Sequence, residues 1–458
     1  MKKAVKKFGS GAKKVSKHLT KYLYERDTIF STLWVFIFIV ALSQIPINFY
    51  FLNPLKLAMK DFDFNDLAYS KLGKGKLGSS EDSKFDKNIV IVNIADLDRE
   101  GLAMLIDKTA SYNPKAIGLD VWMEDAREPH KDSLMREVVR RTPNLVLASR
   151  FKPSTDPERD EGDYHSNYFK DSTAGTEGYV NFFNEDIATI RIWNPTTKVK
   201  IDSVTKIRYP SFAYSLIKLF DSTALEHLPS KKKEIINYTR RTLQYQIVEP
   251  DALFTDNVDS AAIRGKIALL GYINIDPNNI DDKKFTPMNE KFYGKAVPDM
   301  NGIVVHANII SMVLAKNYIK KLPLWVVWLV AIFIGWLHMS FFIRYYLENH
   351  IWFHLVAKIA QLASAIFFTY VGIYLFDRYR IKLDMKLSLI VIVMAVDVIY
   401  FYEAWAVWMH RKFGYQTVFK PHHHGHGDEH GGHDSGHEKH DEEVPEEGAT
   451  KKEEESSH

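Results

Sequence analysis

Four runs of apolar residues constrain this chain more than anything else in it. A helix needs about 20 mostly apolar residues to cross a bilayer. The sequence supplies that length at Ile29 to Phe51 ("IFSTLWVFIFIVALSQIPINFYF"), Leu322 to Ile343, Ile351 to Phe376 and Leu387 to Trp408. Trp325, Trp328, Trp352 and Trp408 lie near the ends of these runs, where amphipathic rings anchor helices at the membrane–water interface. The order is one span, a long gap, then three spans in quick succession. The gap must therefore fold as a soluble unit held at both ends. A small-residue site, "ALS" at Ala41 to Ser43, raises the alternative of a cleaved signal peptide. The long basic arm and the aromatic run that continues past this site favour an uncleaved anchor.

Charge then sets orientation. The formal net charge of +3 is a near-cancellation of 60 basic and 57 acidic side chains, and it hides an asymmetry between the ends. Nine Lys or Arg residues, from Lys2 to Arg26, precede the first span, so the positive-inside tendency puts the N-terminus in the cytoplasm. An apolar span follows this arm at once, which favours an anionic lipid surface over nucleic acid as its partner. Four crossings return the tail to the cytoplasm, where Arg411, Lys412 and Lys420 fit. One loop disagrees: "DRYRIKLDMK", Asp377 to Lys386, places four basic residues on the outer face. The expected divisions are a basic arm (1–28), a first span (29–52), an extracytoplasmic domain (53–320), a three-helix membrane bundle (321–409) and a tail (410–458). Cysteine is absent, so neither disulfides nor thiolate metal sites hold the domain together.

Within the gap, strand and helix patterns alternate. "NIVIVNIA" (Asn88 to Ala95) is a continuous β-branched run, followed by helical spacing at Leu102, Leu105, Ile106 and Thr109. "KAIGLDVW" (Lys115 to Trp122), a helix over 132–141, "NLVLASRF" (Asn144 to Phe151) and "IRGKIALLGYIN" (Ile263 to Asn274) continue the pattern. Short apolar runs separated by helices imply parallel strands buried on both faces. "GYVNFFNEDIATIRIWNP" predicts a hairpin turning at Asn184 to Asp186, and the Pro-, Asp- and Ser-rich stretch 153–178 predicts a mobile surface loop. The fold class is thus an α/β domain, a mostly parallel sheet with flanking helices plus a hairpin, joined to four transmembrane helices.

Ligands of open parallel sheets collect outside the carboxyl ends of the strands. Asp96, Asp98, Asp120, Glu124, Asn274 and Asp276 stand just past those ends and form an acidic rim. Helix capping and loop hydrogen bonding compete with a ligand or cation role for each of them. "GKGKLGSS" (Gly73 to Ser80) precedes the first strand instead of following it, so it reads as a linker and not as a phosphate loop. No "GxSxG", "HExxH" or kinase signature occurs, and no enzyme activity is expected. In "MNGIVVHANII" (Met300 to Ile310) a helix over 301–317 places Ile303, His306, Ala307, Ile310 and Leu314 on one apolar face. His306 is therefore either a hydrogen-bonded core histidine or a ligand contact.

The order of these motifs resembles the CHASE2 family of extracytoplasmic sensor domains. The pieces that carry the resemblance are "DFDFNDLAYSK", "IVIVNIADLD", "AIGLDVWMED", "IRGKIALLG", "DKKFTP" and "GIVVHANII", followed by three spans, over roughly Lys60 to the end of the last span. Ala95 departs from the family pattern, standing where an acidic residue is common. The resemblance implies a stimulus-binding module in a bacterial inner membrane, of a layout that tends to form homodimers and is commonly wired to a cytoplasmic kinase or cyclase. Only about fifty residues follow the last span, fewer than such enzymes need, so a separate protein partner in the inner membrane, cytoplasm or periplasm is expected to carry the output. A scaffold subunit using the domain as a docking surface is the alternative, and metal handling is a third.

That third reading rests on "HHHGHGDEHGGHDSGHEKH" in the tail. His422, His423, His424, His426, His430, His433, His437 and His440 lack apolar company, so the tail is expected to be disordered. Loose divalent metal binding and a pH-responsive solvated tail are both open for these imidazoles, and no other cofactor is expected. Inside the spans, ionisable groups are costly and need partners. Counting from the proposed span ends puts His338, Lys358 and Glu403 at one depth, which predicts a Lys358–Glu403 pair beside His338, with Asp397 deeper.

Overall fold

The computed structural model describes residues 22–44, 63–69, 85–153, 162–170, 176–183, 189–200, 206–230, 232–276, 278–289, 297–348 and 352–419. In chain order the main elements are α1 (Arg26–Gln44), β1 (Ile89–Asn93), α2 (Arg99–Ser111), β2 (Ala116–Leu119), α3 (Pro129–Arg141), β3 (Leu145–Lys152), β4 (Asp163–His165) and β5 (Thr176–Tyr179). They continue with β6 (Ile192–Trp193), β7 (Thr196–Lys200), β8 (Lys206–Pro210), α4 (Phe212–Phe220), β9 (Glu234–Ile235), β10 (Gln246–Val248), α5 (Pro250–Phe254) and β11 (Ile267–Gly271). After β12 (Lys283–Lys284) and β13 (Met300–Asn301) come α6 (Gly302–Leu314), β14 (Lys320–Lys321), α7 (Leu324–Glu348), α8 (Phe353–Tyr379), β15 (Ile381–Lys382) and α9 (Lys386–Phe413).

The central sheet runs β10-β1-β11-β2-β3, all parallel, and β3 then pairs in parallel with β5 and antiparallel with β4. Its inner strands β1, β11 and β2 are buried along their whole length because both faces are covered. Ile89, Ile91, Ile267 and Leu269 enter one core with α4 and α6. Val90, Val92, Ala268 and Leu270 enter another with α2, α3 and α5. Each Ile or Leu so buried contributes about 1.5–3 kcal/mol over an exposed one. Two glycines let the helices approach: a Cβ on Gly271 would lie 2.8 Å from Ile303 of α6, and one on Gly178 would lie 2.7 Å from the Phe212 backbone of α4.

α6 is buried on every side from Gly302 to Val313, so it is a core helix instead of one with a single apolar face. It starts beside the end of β11, where Gly271 touches Ile303, and its last turn meets the segment before β1, where Ser311 donates to Asp86 at 2.7 Å. It therefore runs antiparallel to the strands. The carboxyl ends of the strands point away from the spans that follow α6.

Four helices, α1, α7, α8 and α9, are long and apolar enough to cross a membrane. α8 does more than span. Ile373 and Phe376 near its end belong to the same core as α6 and β1, and Phe376 meets Tyr69 edge-on at 5.7 Å.

Two expectations are corrected. "GYVNFF" does not open a hairpin: β5 pairs with β3 across the sheet, and β6 pairs with β9. The proposed turn, 184–186, lies outside the described residues. The antiparallel hairpin of this region is β7 with β8. Likewise 153–178 is not simply a loop: its described part contains β4, and Phe169 is fully buried against the sheet.

Candidate functional site

Three polar assemblies distinguish this molecule: the distal rim, the joint between domain and spans, and the charges of the helical bundle. On the rim most predicted residues serve their own loops. Asp98 caps α2, accepting from Gly101 N at 2.9 Å, and pairs with Lys131 at 2.9 Å. Glu124 pairs with Lys152. Asn274 accepts from Asp276 N at 2.8 Å, and Asp276 from Asn278 N at 2.9 Å. Asp96 is exposed.

Asp120 behaves differently. It is half-buried at the end of β2, and its carboxyl is pushed up to about 7 by burial and by the charge of Asp282, against the pull of Lys284. Asp282 sits at the start of α6, where its backbone carbonyl accepts from Gly302 N at 3.1 Å, and it pairs with Lys284 at 3.5 Å. Asp299 nearby is raised to about 6 by burial, opposed by hydrogen bonds from Thr286. This corner holds protons near neutrality, as buried carboxyls without a tight cation do. Among the described residues no three His, Asp or Glu side chains converge on a metal position.

His306 lies in the core, 2% exposed, with its ring against Phe182 at 4.7 Å and Phe212 at 5.2 Å. Burial lowers it to about 3, with a hydrogen bond at the Val180 backbone opposing, so it stays neutral. The neighbour in "HAN" does more: Asn308, fully buried, accepts from Thr239 N and Arg240 N at 3.1 Å each and donates to Arg240 O and Val304 O at 3.0 Å. Its amide pins the 239–240 backbone to α6, a role that the helical spacing of its own segment did not reveal.

At the joint, Asp66 of "DFDFND" holds Arg191 through two bonds to its Nε at 3.0 and 3.2 Å. Asp63 pairs with Lys382; burial opposes its ionisation, but the Lys382 charge holds it at about 2. β14 and β15 join as a parallel pair, with Lys320 N donating to Arg380 O at 2.7 Å and Leu322 N to Lys382 O at 3.1 Å. The loop 377–386 thus docks on the domain, with Lys382, one of its four basic residues, pairing there.

In the bundle the Lys358–Glu403 pair does not form. Lys358 lies 3.6 Å from Asp397, while Glu403 accepts from Tyr346 OH at 2.6 Å. The register is fixed elsewhere: Gln361 donates to Ile392 O at 2.7 Å, and His354 lies 3.0 Å from Tyr400 OH. α9 continues past Trp408 to Phe413, so depths counted from Trp408 placed Glu403 level with Lys358 when it lies further along. His338 approaches its own helix, 2.8 Å from Ile334 O. A residue missed in the sequence, Asp27, is 2% exposed and accepts from Tyr402 OH at 2.6 Å, Thr417 Oγ1 at 3.1 Å and Val418 N at 2.6 Å. It ties the start of α1 to the segment after α9. The histidines His422 to His440 lie outside the described residues.

Comparison with protein-family models matches residues 35–342 to the CHASE2 domain. The chain belongs to the CHASE2 family. The match covers more than half of the chain, beginning inside α1 and ending inside α7, so it reaches further toward the N-terminus and less far toward the C-terminus than the motifs suggested. CHASE2 is a sensory domain, and the apolar helices fit a membrane protein. No curated protein and no solved structure matches this chain.

Proposed function

We propose that this CHASE2 protein is a sensor, without catalytic chemistry of its own, of a bacterial inner membrane. In this reading the domain is periplasmic and both termini are cytoplasmic. A stimulus or periplasmic partner acts at the Asp120 corner, and the change is relayed through α6 and the spans to a separate output protein. The observation that carries the reading is the way α8 ends: Ile373 and Phe376 pack in the same core as α6. A shift of α6 against the sheet is then also a shift of α8, because packed cores transmit displacement. The orientation is supported by the nine basic residues from Lys2 to Arg26 and by the pairing of Lys382 with Asp63, which engages one of the four basic residues of the outer loop.

Protease added to intact spheroplasts should remove the domain and spare the tail. Digestion of the tail with the domain protected would overturn the orientation. Affinity purification from native membranes then separates relay from scaffolding. A partner bound at fixed stoichiometry whatever the stimulus favours a docking role, while a partner whose capture changes with conditions favours sensing.

A further inference from the structure

We propose that the outward face of the β7–β8 ribbon is a docking surface for an extended acidic segment of a partner protein. This ribbon belongs neither to the Asp120 corner nor to the joint.

The register comes first. β7 and β8 pair antiparallel, with Lys198 opposite Arg208 and Lys200 opposite Lys206. Like charges set directly opposite each other destabilise a sheet. Residues that oppose each other across a pair, or stand two apart on one strand, share a face. Lys198, Lys206 and Arg208 therefore lie on one face, and all three are exposed. Among the described residues no carboxylate pairs with any of them, and Arg208 reaches only Thr196 Oγ1, at 3.5 Å. A lysine on a short ribbon guards its edge against unwanted strand pairing. Single charges serve that role, and it does not call for cations set against cations. A cluster of one sign without counter-charges is what a partner of the opposite sign complements.

The second feature is the mounting of the ribbon. Its other face is fastened to the domain: Val199 is buried with Phe151 and Tyr179, Thr197 Oγ1 donates to Tyr179 OH at 3.0 Å, and Tyr209 stacks on Tyr164 with ring centres 3.8 Å apart. The strands that carry the cations are thus a fixed platform, so less freedom is lost when a partner binds. Tyr179 ends β5, and the next residue, Val180, reaches His306 of α6 through its backbone.

The chemistry of the partner follows from what the face carries. Two residues of an extended chain span about 7 Å, the step between Lys206 and Arg208 along β8. Carboxylates at alternate positions of an extended segment repeat at that same step and meet successive cations. Arg208 adds a planar fork matched to a carboxylate. Helices that lie on membranes combine cations with apolar or aromatic groups at the lipid, and single-stranded nucleic acid is held on aromatic platforms. The large apolar side chains of this ribbon, Val199, Ile207 and Tyr209, are all on the opposite face, which favours an acidic peptide over either.

The probe is a dye-labelled peptide alternating Glu with Thr, read by fluorescence anisotropy against the full-length protein in nanodiscs of phosphatidylcholine. Wild type should bind it, more weakly as salt rises. Lys198→Gln, Lys206→Gln and Arg208→Gln together should weaken binding by about tenfold. The same variant should melt no lower than wild type, because opposed like charges have been removed. A control with Lys87→Gln, Lys232→Gln and Arg264→Gln, three exposed cations elsewhere, loses the same net charge and should bind as wild type does. Equal losses in the two triple variants would overturn the proposal, as would no binding by wild type or a lower melting temperature of the ribbon variant. Tighter binding of wild type to phosphatidylglycerol vesicles than to the peptide, lost with the same three substitutions, would overturn it in favour of a lipid surface.

Discussion

The two ends of the sensory domain treat buried carboxylates in opposite ways. Toward the spans, Asp63 and Asp66 pair with Lys382 and Arg191, and Lys382 holds the Asp63 carboxyl well below the usual carboxylate range. Beside the start of α6, Asp120 and Asp299 are half-buried, with Lys284 and Arg241 pulling only weakly against burial, and are pushed up to about 7 and 6. The first arrangement makes a fixed joint, since breaking a buried pair leaves an uncompensated charge. The second leaves groups whose charge depends on what approaches. The comparison teaches where rigidity and responsiveness have been placed: the joint stays set over the pH range in which the rim titrates.

The largest effect should come from the joint. Asp66→Ala leaves Arg191, 12% exposed, without its carboxylate and should cost about 3–5 kcal/mol in a denaturant melt of the purified protein. A loss within the range of a surface substitution would break the comparison. Lys382→Met should cost less, about 2 kcal/mol, and its pH dependence sharpens the case. Asp63 is held at about 2, below its ordinary 3.8, so its contribution is present above pH 4 and lost as pH falls toward 2. The variant should lack that acid limb.

At the rim the sign reverses. Asp120 binds its proton more tightly folded than unfolded, so its contribution is full below its ordinary 3.8 and is lost as pH rises through about 7. Asp120→Asn should therefore gain at pH 8 relative to its difference from wild type at pH 4, by about 4 kcal/mol at most. Melting temperatures at the two pH values read this directly, and equal differences at both would contradict a buried proton. The smallest effect belongs to Asp98→Ala, which removes the N-cap of α2 and the Lys131 contact. A small drop in melting temperature is expected, and because the Gly101 hydrogen bond and Lys131 lower the Asp98 pKa, the drop is present above about pH 4 and fades as pH falls below it.

These regions were not equally legible in the amino-acid order. The strands β1, β2, β3 and β11 could be read because strands covered on both faces are written as unbroken apolar runs. β5 could not, because its partner β3 is set by tertiary pairing, and "GYVNFF" followed by polar residues looks locally like half a hairpin. The rim residues were found, but their separation into capping groups and a proton-holding Asp120 depends on burial, which position along a strand does not encode. The ion pair of the bundle was misassigned because hydropathy locates a span to within a turn or so, whereas register is decided by contacts such as Gln361 with Ile392. Asp66 was inside a recognised motif, yet its partner Arg191 is far away in the chain.

The short β14–β15 ladder has a mechanical result. Through it, the backbone leaving α6 is stitched to the turn that follows α8 before either chain enters the bundle. In the proposed relay, a tug on α6 would thus be delivered to a yoke of two rods, α7 and the end of α8, and not to one.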